Sequence, residues 1–543
     1  MCFGHCPHLV VVGTVGNEWA TWRGGMGGSP GTPELVFGLV GALGADLTHL
    51  GSILSDALTD MGYQPDLIRV SQLLHEIPEW STLPDQPLEQ QIDKHQKAGN
   101  ELRRRTGLWG AMAALAMTHI QGIRKKEGGD PTKPLPNRAY VIRSLKHPGE
   151  VDLLRRVYGT SFVLIAAYAP HHFREEQLAS AIATSHRSGR PGDFLAEAQR
   201  LIQTDESEPG REYGQRVRDT FPLADVFFNS HRPADLKKEI ERFVEILFGH
   251  PFRTPTRDEF AMFHARAAAL RSADLSRQVG AVIATTDADV VAVGANEVPR
   301  GTGGSYWEGD EGDSRDFQLG KNVSQDLRDT ALGEVLTRLD EEGLLFVRKG
   351  ERLESVVSRV SAVMGDTLLM NTGEFGRAVH AEMSALLDAA RRGASVDGKT
   401  MYTTTFPCHN CAKHLIAAGI SRVVYIEPFP KSQAQRLHRD AIVVDSDSPV
   451  PGKVNFEPFV GVAPSRYLDF FQMPRRKTGT GRPVSWRWKG AVPRFAEPWQ
   501  EATRALAENA IILELEEAIG RARLLGSRRR AGTRGKPKRG GGA

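Results

Sequence analysis

The sequence predicts an α/β protein with two main domains, an N-terminal parallel-sheet domain followed by a three-layer α/β/α sandwich. The chain has 543 residues, which is more than one ordinary hydrophobic core accommodates. Strand-like apolar runs alternate with helical patterns in the first half, as in parallel α/β sheets. After about residue 250 the predicted order is α-β-β-α-β-α-β, which favours a sheet covered by helices.

The N-terminal domain is predicted over residues 34–245, after a Gly- and Pro-rich flexible leader at residues 1–33. Its first strand is expected in "ELVFGLV", which runs through a glycine-containing turn into a helical pattern. Further strands are expected in "RAYVIRSL", "SFVLIAAYA" and "LADVFFN", with helical patterns between them. This alternation predicts a parallel sheet.

The second domain is predicted over residues 250–471, with an insertion at about 297–370. It begins with the helix "DEFAMFHARAAALRSA" and a hairpin of "QVGAVIAT" and "DVVAVGANE". After the insertion come helix "HAEMSALLDAARR", strand "TMYTTTF", helix "CHNCAKHLIAAG" and strand "SRVVYIEPF". A C-terminal extension at 472–525 contains one late helix, and a basic disordered tail at 526–543 follows.

The composition is that of a soluble globular protein, with 40% hydrophobic and 25% charged residues. No apolar run is long enough to span a membrane, and we see no secretory signal, so a cytoplasmic location is expected. Four cysteines do not make a disulfide framework in a chain of this size. The tail contains seven Lys or Arg residues and no acid, so the rest of the chain is mildly acidic. The tail is interpreted as a solubilising segment, with nucleic-acid contact as the alternative.

Two of the four cysteines lie three residues apart, downstream of a His-x-Glu sequence. Cys408 and Cys411, with His380, are soft and borderline donors that suit zinc. Three protein ligands leave a fourth tetrahedral position for water, as in catalytic zinc sites. Glu382 is predicted to be the catalytic residue that takes a proton from that water and returns it to a leaving group. Zinc is the predicted cofactor.

Each half of this motif has a simpler alternative when it is taken alone. A lone CxxC is also typical of a redox pair, and a lone His-x-Glu also occurs on exposed helix turns. The combination H-x-E followed by P-C-x-x-C is the known signature of zinc deaminases, which act on cytosine or adenine. We therefore interpret these residues as a zinc deaminase site.

The segments "ADLSRQVGAVIA", "VAVGANEVP", "HAE" and "TTTFPCHNCAKHLIAAGI" resemble the deoxycytidylate deaminase family, over about residues 258–430 apart from the insertion. The resemblance implies attack of activated water on C4 of cytosine, with release of ammonia and a deoxyuridine nucleotide. It also implies that Asn296 binds the sugar, with a plain turn residue as the alternative. Arg277 is predicted to help hold phosphate, and an ordinary surface arginine is the alternative. The chain departs from the family in its "MSA", its "ANE" and the length of its insertion.

The whole architecture resembles the anti-phage dCTP deaminases, which join a P-loop-like, kinase-related domain to a cytidine-deaminase-like, three-layer α/β/α sandwich. The resemblance rests on segments such as "ELVFGLVGALGADL", "SYWEGDEGDSRDF" and "FEPFVGVAPSRYLDFF", between about residues 34 and 471. It implies depletion of dCTP and dCMP during infection, self-association into a homo-oligomer, and an N-terminal domain that governs the deaminase. The alternatives are a nucleic-acid deaminase with the same zinc chemistry, favoured only by the basic tail, and a binding protein with a silent deaminase.

The sequence "GALGADLT" from Gly41 is a degenerate version of the P-loop G-x-x-x-x-G-K-[ST]. Leu47 replaces the phosphate-binding lysine, Asp46 replaces the second glycine and is predicted to cap the following helix, and Thr48 is retained. Weak or altered nucleotide binding, as by a regulatory nucleotide, is predicted for Gly38, Gly41, Gly44, Asp46 and Thr48, with a strand-to-helix turn without ligand as the alternative. Lys146, His147 and Glu150 are either site groups or a solvated helix start. Cys2, His5, Cys6 and His8 are interpreted as part of a disordered segment, with a metal knot as the alternative.

Overall fold

A computed structural model describes most of the chain from residue 32 to residue 533. The residues left out are 1–31, 209–210, 347–350, 366, 368–369, 371–374, 430, 447, 474, 489–490, 495–500 and 534–543. Most of the predicted leader, the motif around Cys2 and Cys6, and the end of the predicted tail lie outside the described residues.

The described residues form twelve strands and seventeen α-helices. The strands are β1 (Leu35–Val40), β2 (Gln64–Arg69), β3 (Arg138–Arg143), β4 (Phe162–Tyr168), β5 (Val226–Asn229), β6 (Gly280–Ala284), β7 (Val290–Ala295), β8 (Thr400–Thr405), β9 (Arg422–Glu427), β10 (Ile442–Val444), β11 (Val454–Pro458) and β12 (Gly461–Val462). The helices are α1 (Leu47–Asp60), α2 (Leu88–Thr106), α3 (Ala111–Gly128), α4 (Pro148–Tyr158), α5 (His171–Ser185), α6 (Leu195–Glu206), α7 (Val217–Thr220), α8 (Pro233–Leu247), α9 (Arg257–Ala269), α10 (Asp316–Leu319), α11 (Val323–Glu341), α12 (Leu353–Met364), α13 (Ala381–Arg391), α14 (His409–Ala417), α15 (Ala434–Leu437), α16 (Tyr467–Phe471) and α17 (Glu501–Thr533).

The first sheet has the strand order β12-β5-β4-β1-β3-β2. Strands β1 to β5 are parallel, which confirms the prediction of a parallel sheet. The chain crosses from β1 to the edge strand β2, returns to β3 beside β1, and then crosses to β4 and β5 on the other side of β1. The turn after β1 therefore lies where the strand order reverses, the usual ligand position in sheets of this kind.

Helices cover both faces of the first sheet. Side chains of α1 and α8 pack with Phe37, Leu39 and Val163 on one face. Side chains of α3 and α4 pack with Val36, Tyr140 and neighbouring residues on the other. This second core continues into α9 and into one face of the second sheet, so the two sheets share one hydrophobic cluster.

The second sheet has the order β10-β11-β9-β8-β6-β7. The predicted hairpin is confirmed, because β6 pairs with β7 in antiparallel register from Gly280↔Ala295 onward. β8 and β9 are parallel, and β10 and β11 extend the parallel side. Helices α13 and α14 pack on one face, and α9 packs on the other. The molecule is thus a mixed α/β protein with two mainly parallel sheets.

The two sheets are joined by a short segment near residue 460. β12 pairs in antiparallel fashion with β5, so residues from beyond the second sheet complete the edge of the first. Phe459 contacts Phe227 edge to face, with ring centroids 5.9 Å apart, and the main-chain N–H of Val462 donates to Glu259 at 2.8 Å. The division of the chain at residues 245–250 stays a prediction, and the first sheet includes strands from both sides of it.

Helix α17 is attached to the N-terminal part through a buried ion triad. Arg124 on α3 contacts Glu508 at 2.5 Å and Glu34 at 2.6 Å. All three side chains are at most 1% exposed, so removing one partner would leave an uncompensated buried charge. The helix extends through Thr533, into the predicted basic tail. Within the described part of the chain, none of the helices has the length and apolar character that crossing a membrane requires.

Candidate active site

His380 lies immediately before α13, which packs closely against β7. A Cβ on Gly294 of β7 would lie 2.1 Å from the carbonyl oxygen of Ala381, so only glycine allows this approach. Val379 and Glu297 exchange two main-chain hydrogen bonds of 3.0 and 3.2 Å, which fix the chain just before His380. The hairpin thus places His380 at the edge of the sheet.

Cys408 and Cys411 lie where β8 leads into α14. Cys408 is the N-cap of α14, and its sulfur accepts a hydrogen bond from the main-chain N–H of Cys411 at 3.4 Å. Helix N-termini favour negative charge, so this position stabilises thiolate sulfur. The structure brings both cysteines to His380, as the motif predicts.

The three predicted ligands form one compact group. Nδ1 of His380 lies 3.4 Å from Sγ of Cys408 and 3.4 Å from Sγ of Cys411. A tetrahedral zinc ion with Zn–S of about 2.3 Å and Zn–N of about 2.05 Å separates such atoms by about 3.6 Å. The group therefore has the chemistry and nearly the spacing of three zinc ligands, and a fourth position stays open.

The charges in this group favour a cation. Hydrogen bonds with Cys411 and His380 lower the pKa of the Cys408 thiol to about 4, despite its burial. The hydrogen bond to Cys408 in turn raises the pKa of His380 to about 9. A thiolate beside an imidazole that attracts a proton is an environment in which a zinc ion replaces that proton.

Glu382 follows in the first turn of α13 and is only 4% exposed. Burial raises its pKa above the usual glutamate range. A carboxylate with a raised pKa is a stronger base than an ordinary one, which suits it to accept a proton from water. Glu382 and His380 line the same cavity, so the carboxyl group faces the space where a substrate would sit.

This cavity has a volume of about 510 Å³, which is in the range of small-molecule sites. Asn296 and Arg277 also line it. The side-chain oxygen of Asn296 accepts from the N–H of Val279 at 2.7 Å, and its amide donates to the carbonyl of Arg277 at 2.9 Å. Asn296 therefore holds the 277–279 segment and keeps one N–H and one lone pair for other contacts. Its contact with sugar stays a prediction.

Arg277 is about half exposed and lies 3.8 Å from Glu427, with its guanidinium 5.6 Å from the Phe429 ring centroid. Its predicted role towards phosphate also stays a prediction. Glu297, which sequence reasoning did not single out, is 1% exposed and accepts from the N–H of Ala273 at 2.9 Å. The one sequence signal for the buried position of Glu297 is that it belongs to "ANE", which departs from the pattern of the family.

The insertion forms the opposite wall of the cavity, and two further arginines line it, Arg328 from the insertion and Arg377 just after it. Arg328 on α11 lines the cavity and donates to the neutral Gln325 at 3.0 Å. Among the described residues it has no carboxylate partner within ion-pair distance. Arg377, which follows the insertion, pairs with Asp316 of the insertion at 2.5 Å. Sequence reasoning missed both residues, because no motif marks them.

The degenerate P-loop lies between β1 and α1, and Gly38 lies within β1. The side chain of Asp46 accepts from the main-chain N–H of Thr48 at 3.1 Å and of His49 at 2.9 Å, which confirms the predicted helix cap. The hydroxyl of Thr48 accepts from Arg143 at 2.6 Å. Gly44 has φ +88°, and a Cβ there would lie 2.4 Å from the carbonyl oxygen of Arg174.

A buried carboxylate occupies the concave side of this loop. Asp205, which is 0% exposed, accepts from the main-chain N–H of Leu43 at 3.0 Å. Lys146 bridges Asp205 at 2.8 Å and the carbonyl oxygen of Gly41 at 3.1 Å. The main-chain N–H of Leu43 in the loop thus binds the carboxylate of Asp205, and those of Thr48 and His49 at the start of α1 bind the carboxylate of Asp46. Nucleotide binding here stays a prediction, and this geometry favours the turn without ligand.

His147 and Glu150 are each 1% exposed, so the interpretation as a solvated helix start is wrong. They form a capping box at the start of α4, in which the His147 side chain accepts from Gly149 at 3.0 Å. Glu150 also pairs with the buried Arg103 at 2.7 Å. Because Arg103 lies on α2 and Glu150 on α4, this buried ion pair joins the two helices.

Three converging ligand atoms beside a buried carboxylate are the features of hydrolytic zinc centres. Residues 255–427 match the family described as the cytidine and deoxycytidylate deaminase zinc-binding region. This match includes all four motif residues, and zinc is therefore the cofactor of this part of the chain.

Individual relatives match over shorter stretches. The deoxycytidylate deaminase of Enterobacteria phage T2 is 47% identical over 55 residues, which cover 10% of this chain and 29% of that protein. The probable deoxycytidylate deaminase of Drosophila melanogaster is 36% identical over 98 residues, or 17% of this chain and 47% of that protein. The chain thus spans less than half the length of these relatives. The dCMP deaminase of cyanophage S-TIM5, solved with dCMP and dUMP, is 16% identical with a TM-score of 0.21, over 36% of this chain and 93% of that one.

Proposed function

We propose that the protein deaminates free deoxycytidine nucleotides to deoxyuridine nucleotides and ammonia. The observation that carries this proposal is the buried Glu382 beside His380, Cys408 and Cys411, in a cavity large enough for a nucleotide. The relatives that bear the name deoxycytidylate deaminase support the choice of substrate class.

In this proposal, Glu382 carries out the proton transfers of the reaction. Zinc, when bound, would supply a positive charge that lowers the pKa of a nearby water molecule. Glu382 would accept a proton from this water and pass it to ring N3 while the water oxygen adds to C4 and the C4=N3 double bond opens. Glu382 would then move the remaining hydroxyl proton to the amino group at C4, so that C4=O forms, the C4–N bond breaks and ammonia leaves. Water and substrate thus yield a deoxyuridine nucleotide and ammonia.

The positive wall of the cavity supports a phosphorylated substrate. Arg277 and Arg328 face the same space as Glu382, and Arg328 lacks a carboxylate partner among the described residues. Guanidinium groups bind phosphate through paired N–H donors. We propose Arg328 as the main phosphate contact from the insertion, with dCTP or dCMP as substrate.

The N-terminal domain is proposed to regulate deamination rather than to transfer phosphate. The carboxylate of Asp205 binds the main-chain N–H of Leu43, in the loop that would bind phosphate in a working P-loop. The phosphate-binding lysine of that motif is replaced by Leu47. A separate cavity of about 370 Å³ lies between the two parts, lined by residues of both, including Arg218, Arg174 and Asp445. Phe406 and Phe429 line this cavity and the zinc cavity alike, so a regulatory nucleotide bound there would contact the walls of the active site.

The resemblance of the whole architecture to the anti-phage dCTP deaminases supports a role in defence. In this proposal the enzyme depletes dCTP during infection and so limits phage DNA synthesis. The same zinc chemistry on nucleic acid is the alternative.

The decisive experiment incubates the purified protein with dCTP, dCMP, deoxycytidine and a cytosine-containing oligonucleotide, separately, and identifies the products by mass. We expect deaminated product from at least one free nucleotide. Deamination of the oligonucleotide alone would overturn the proposal in favour of the nucleic-acid alternative. A Cys408→Ser, Cys411→Ser variant is the control for zinc-dependent turnover.

A further inference from the structure

A second group of metal-ligand atoms lies in the N-terminal part, outside the candidate active site. His75 follows β2 in a short helical turn, His95 lies on α2, and Asp85 lies in the loop between them. One ligand atom from each residue lies within 4.8 Å of the others. The side chain of His75 is 26% exposed and that of Asp85 is 72% exposed, whereas His95 is 7% exposed.

The two imidazoles face each other through the same kind of nitrogen. Nε2 of His75 lies 3.1 Å from Nε2 of His95. Nδ1 of His95 contacts the carbonyl oxygen of Gln91 at 2.7 Å, and Nδ1 of His75 contacts that of Ser81 at 3.4 Å. A carbonyl oxygen only accepts, so a hydrogen on each Nδ1 satisfies both contacts and leaves each Nε2 with a lone pair that can bind a metal ion.

In that arrangement the two Nε2 lone pairs point into the same space, and a cation between them would stabilise both. Oδ1 of Asp85 lies 3.9 Å from Nε2 of His75 and adds a negative charge to the same place. Metal-bound histidines usually donate their other ring N–H to a carbonyl or carboxylate, as both rings do here. The donor set, two imidazoles and one carboxylate, suits a borderline divalent cation such as zinc.

The spacing agrees with a metal ion. A tetrahedral zinc ion with Zn–N of about 2.05 Å places two nitrogens about 3.3 Å apart. The observed distance of 3.1 Å between the two Nε2 atoms is therefore slightly shorter than this expected value. The distance of 3.4 Å from His380 to each of its two cysteines is shorter than its own expected value, about 3.6 Å, by a similar amount. Oδ1 of Asp85 is 3.9 Å from Nε2 of His75, beyond the separation of two ligands of one zinc ion, so this exposed side chain would have to move inward to bind.

We propose that His75, Asp85 and His95 form a second zinc-class site that ties the 76–87 segment to α2. His95 is followed by Gln96, whose side chain donates to Asp205 at 3.2 Å. The site therefore steadies the helix that packs on the degenerate P-loop. It does not depend on the proposed deaminase activity.

The test counts metal in the full chain. Elemental analysis after dialysis against zinc should give about two zinc ions per chain in the unchanged protein and about one in both His75→Ala and the Cys408→Ser, Cys411→Ser variant. His49→Ala, at an exposed histidine of α1, is the matched control and should keep both. One zinc per chain in the unchanged protein, or no loss in a folded His75→Ala, would overturn the proposal.

A second measurement isolates the new site. In a background with Cys2, Cys6, Cys408 and Cys411 all changed to Ser, titration with Co²⁺ should produce visible d–d bands without a thiolate charge-transfer band. Asp85→Asn, which changes only an exposed side chain, should weaken this Co²⁺ binding by at least about tenfold. Absence of Co²⁺ binding in this background would mean that the two imidazoles share a proton, and the metal site would be disproved.

Discussion

Glu382 and Arg328 have opposite environments that suit opposite tasks. Glu382 is buried, and burial raises the pKa of its carboxyl group above the usual glutamate range. Arg328 lines the far wall of the cavity, where its charge has no acidic partner among the described residues. Proton transfer needs a group of adjustable charge, whereas phosphate binding needs a permanent one. The two residues can therefore be tested separately.

Glu382→Gln should keep zinc and lower deamination by at least about 10²-fold, because glutamine keeps the size of the side chain but cannot carry the proton. The measurement is the turnover number alongside the zinc content of the same preparation. Glu341→Gln, at an exposed position of α11, serves as the control. An active Glu382→Gln protein would show that another group transfers the proton.

Arg328→Ala should lower kcat/KM for the preferred nucleotide by about tenfold to a hundredfold, as expected for the loss of a charge-assisted hydrogen bond. Most of the change should be in KM, and any activity on unphosphorylated deoxycytidine should stay the same. Arg338→Ala changes an exposed arginine of the same helix and should leave both substrates unaffected. Equal losses on nucleotide and nucleoside would contradict a phosphate contact.

At the scale of elements, the approach of α13 to β7 positions His380 and Glu382. Gly294→Ala should force the helix away from the strand, because its Cβ would lie 2.1 Å from the Ala381 oxygen and 2.4 Å from the Ala385 nitrogen. We expect a loss of about 1–3 kcal/mol in the free energy of unfolding and a fall in deamination. Gly122→Ala, in open space on α3, should be neutral or stabilising in the same urea titration. Equal stability of the two variants would show that α13 adapts freely.

Elements with strong local patterns could be predicted from the sequence. The apolar runs of β1, β3, β4 and β5 and the hairpin β6–β7 lie where the sequence predicts them. The motif residues also come together as predicted, because strand-to-helix turns place them at one edge of the sheet. β2 was missed, since its sequence "QPDLIR" at the sheet edge lacks an apolar run.

Contacts between distant segments could not be predicted. Asp205 reaches Leu43 across 162 residues, and no pattern marks either residue. The same holds for Arg328, and for His75 and His95, whose spacing of twenty residues matches no metal-binding motif. Their arrangement depends on how helices pack, which a single sequence does not encode locally.

At the scale of the whole molecule, the cavity between the two parts gives a route from the N-terminal domain to the zinc site. Its walls include Ala42 at the degenerate P-loop and Phe429 at the active site. A ligand there would change the packing of both walls and so couple the two parts.

Added deoxynucleoside triphosphates should change the deamination rate less in Arg218→Ala than in the unchanged protein. Without added triphosphate, the deamination rates of the two proteins should be the same. The reason is that Arg218 lines the cavity between the parts but not the zinc cavity. Arg211→Ala, an exposed arginine that lines neither cavity, is the control. An unchanged response in a folded Arg218→Ala protein would exclude this cavity as the effector site.

The pairing of β12 with β5 brings residues 461–462 back to the first sheet, so strand pairing joins the two parts of the chain. A cut in the segment near residue 250 would leave β5 with an open edge and leave residues 461–462 without their partner strand. The carboxylate of Glu259 would then belong to one fragment together with Val462, while its other partner, Arg242 at 2.7 Å, would belong to the other. Two fragments made in this way carry complementary surfaces, so they should find each other and reassemble when mixed, and each alone should be prone to aggregate.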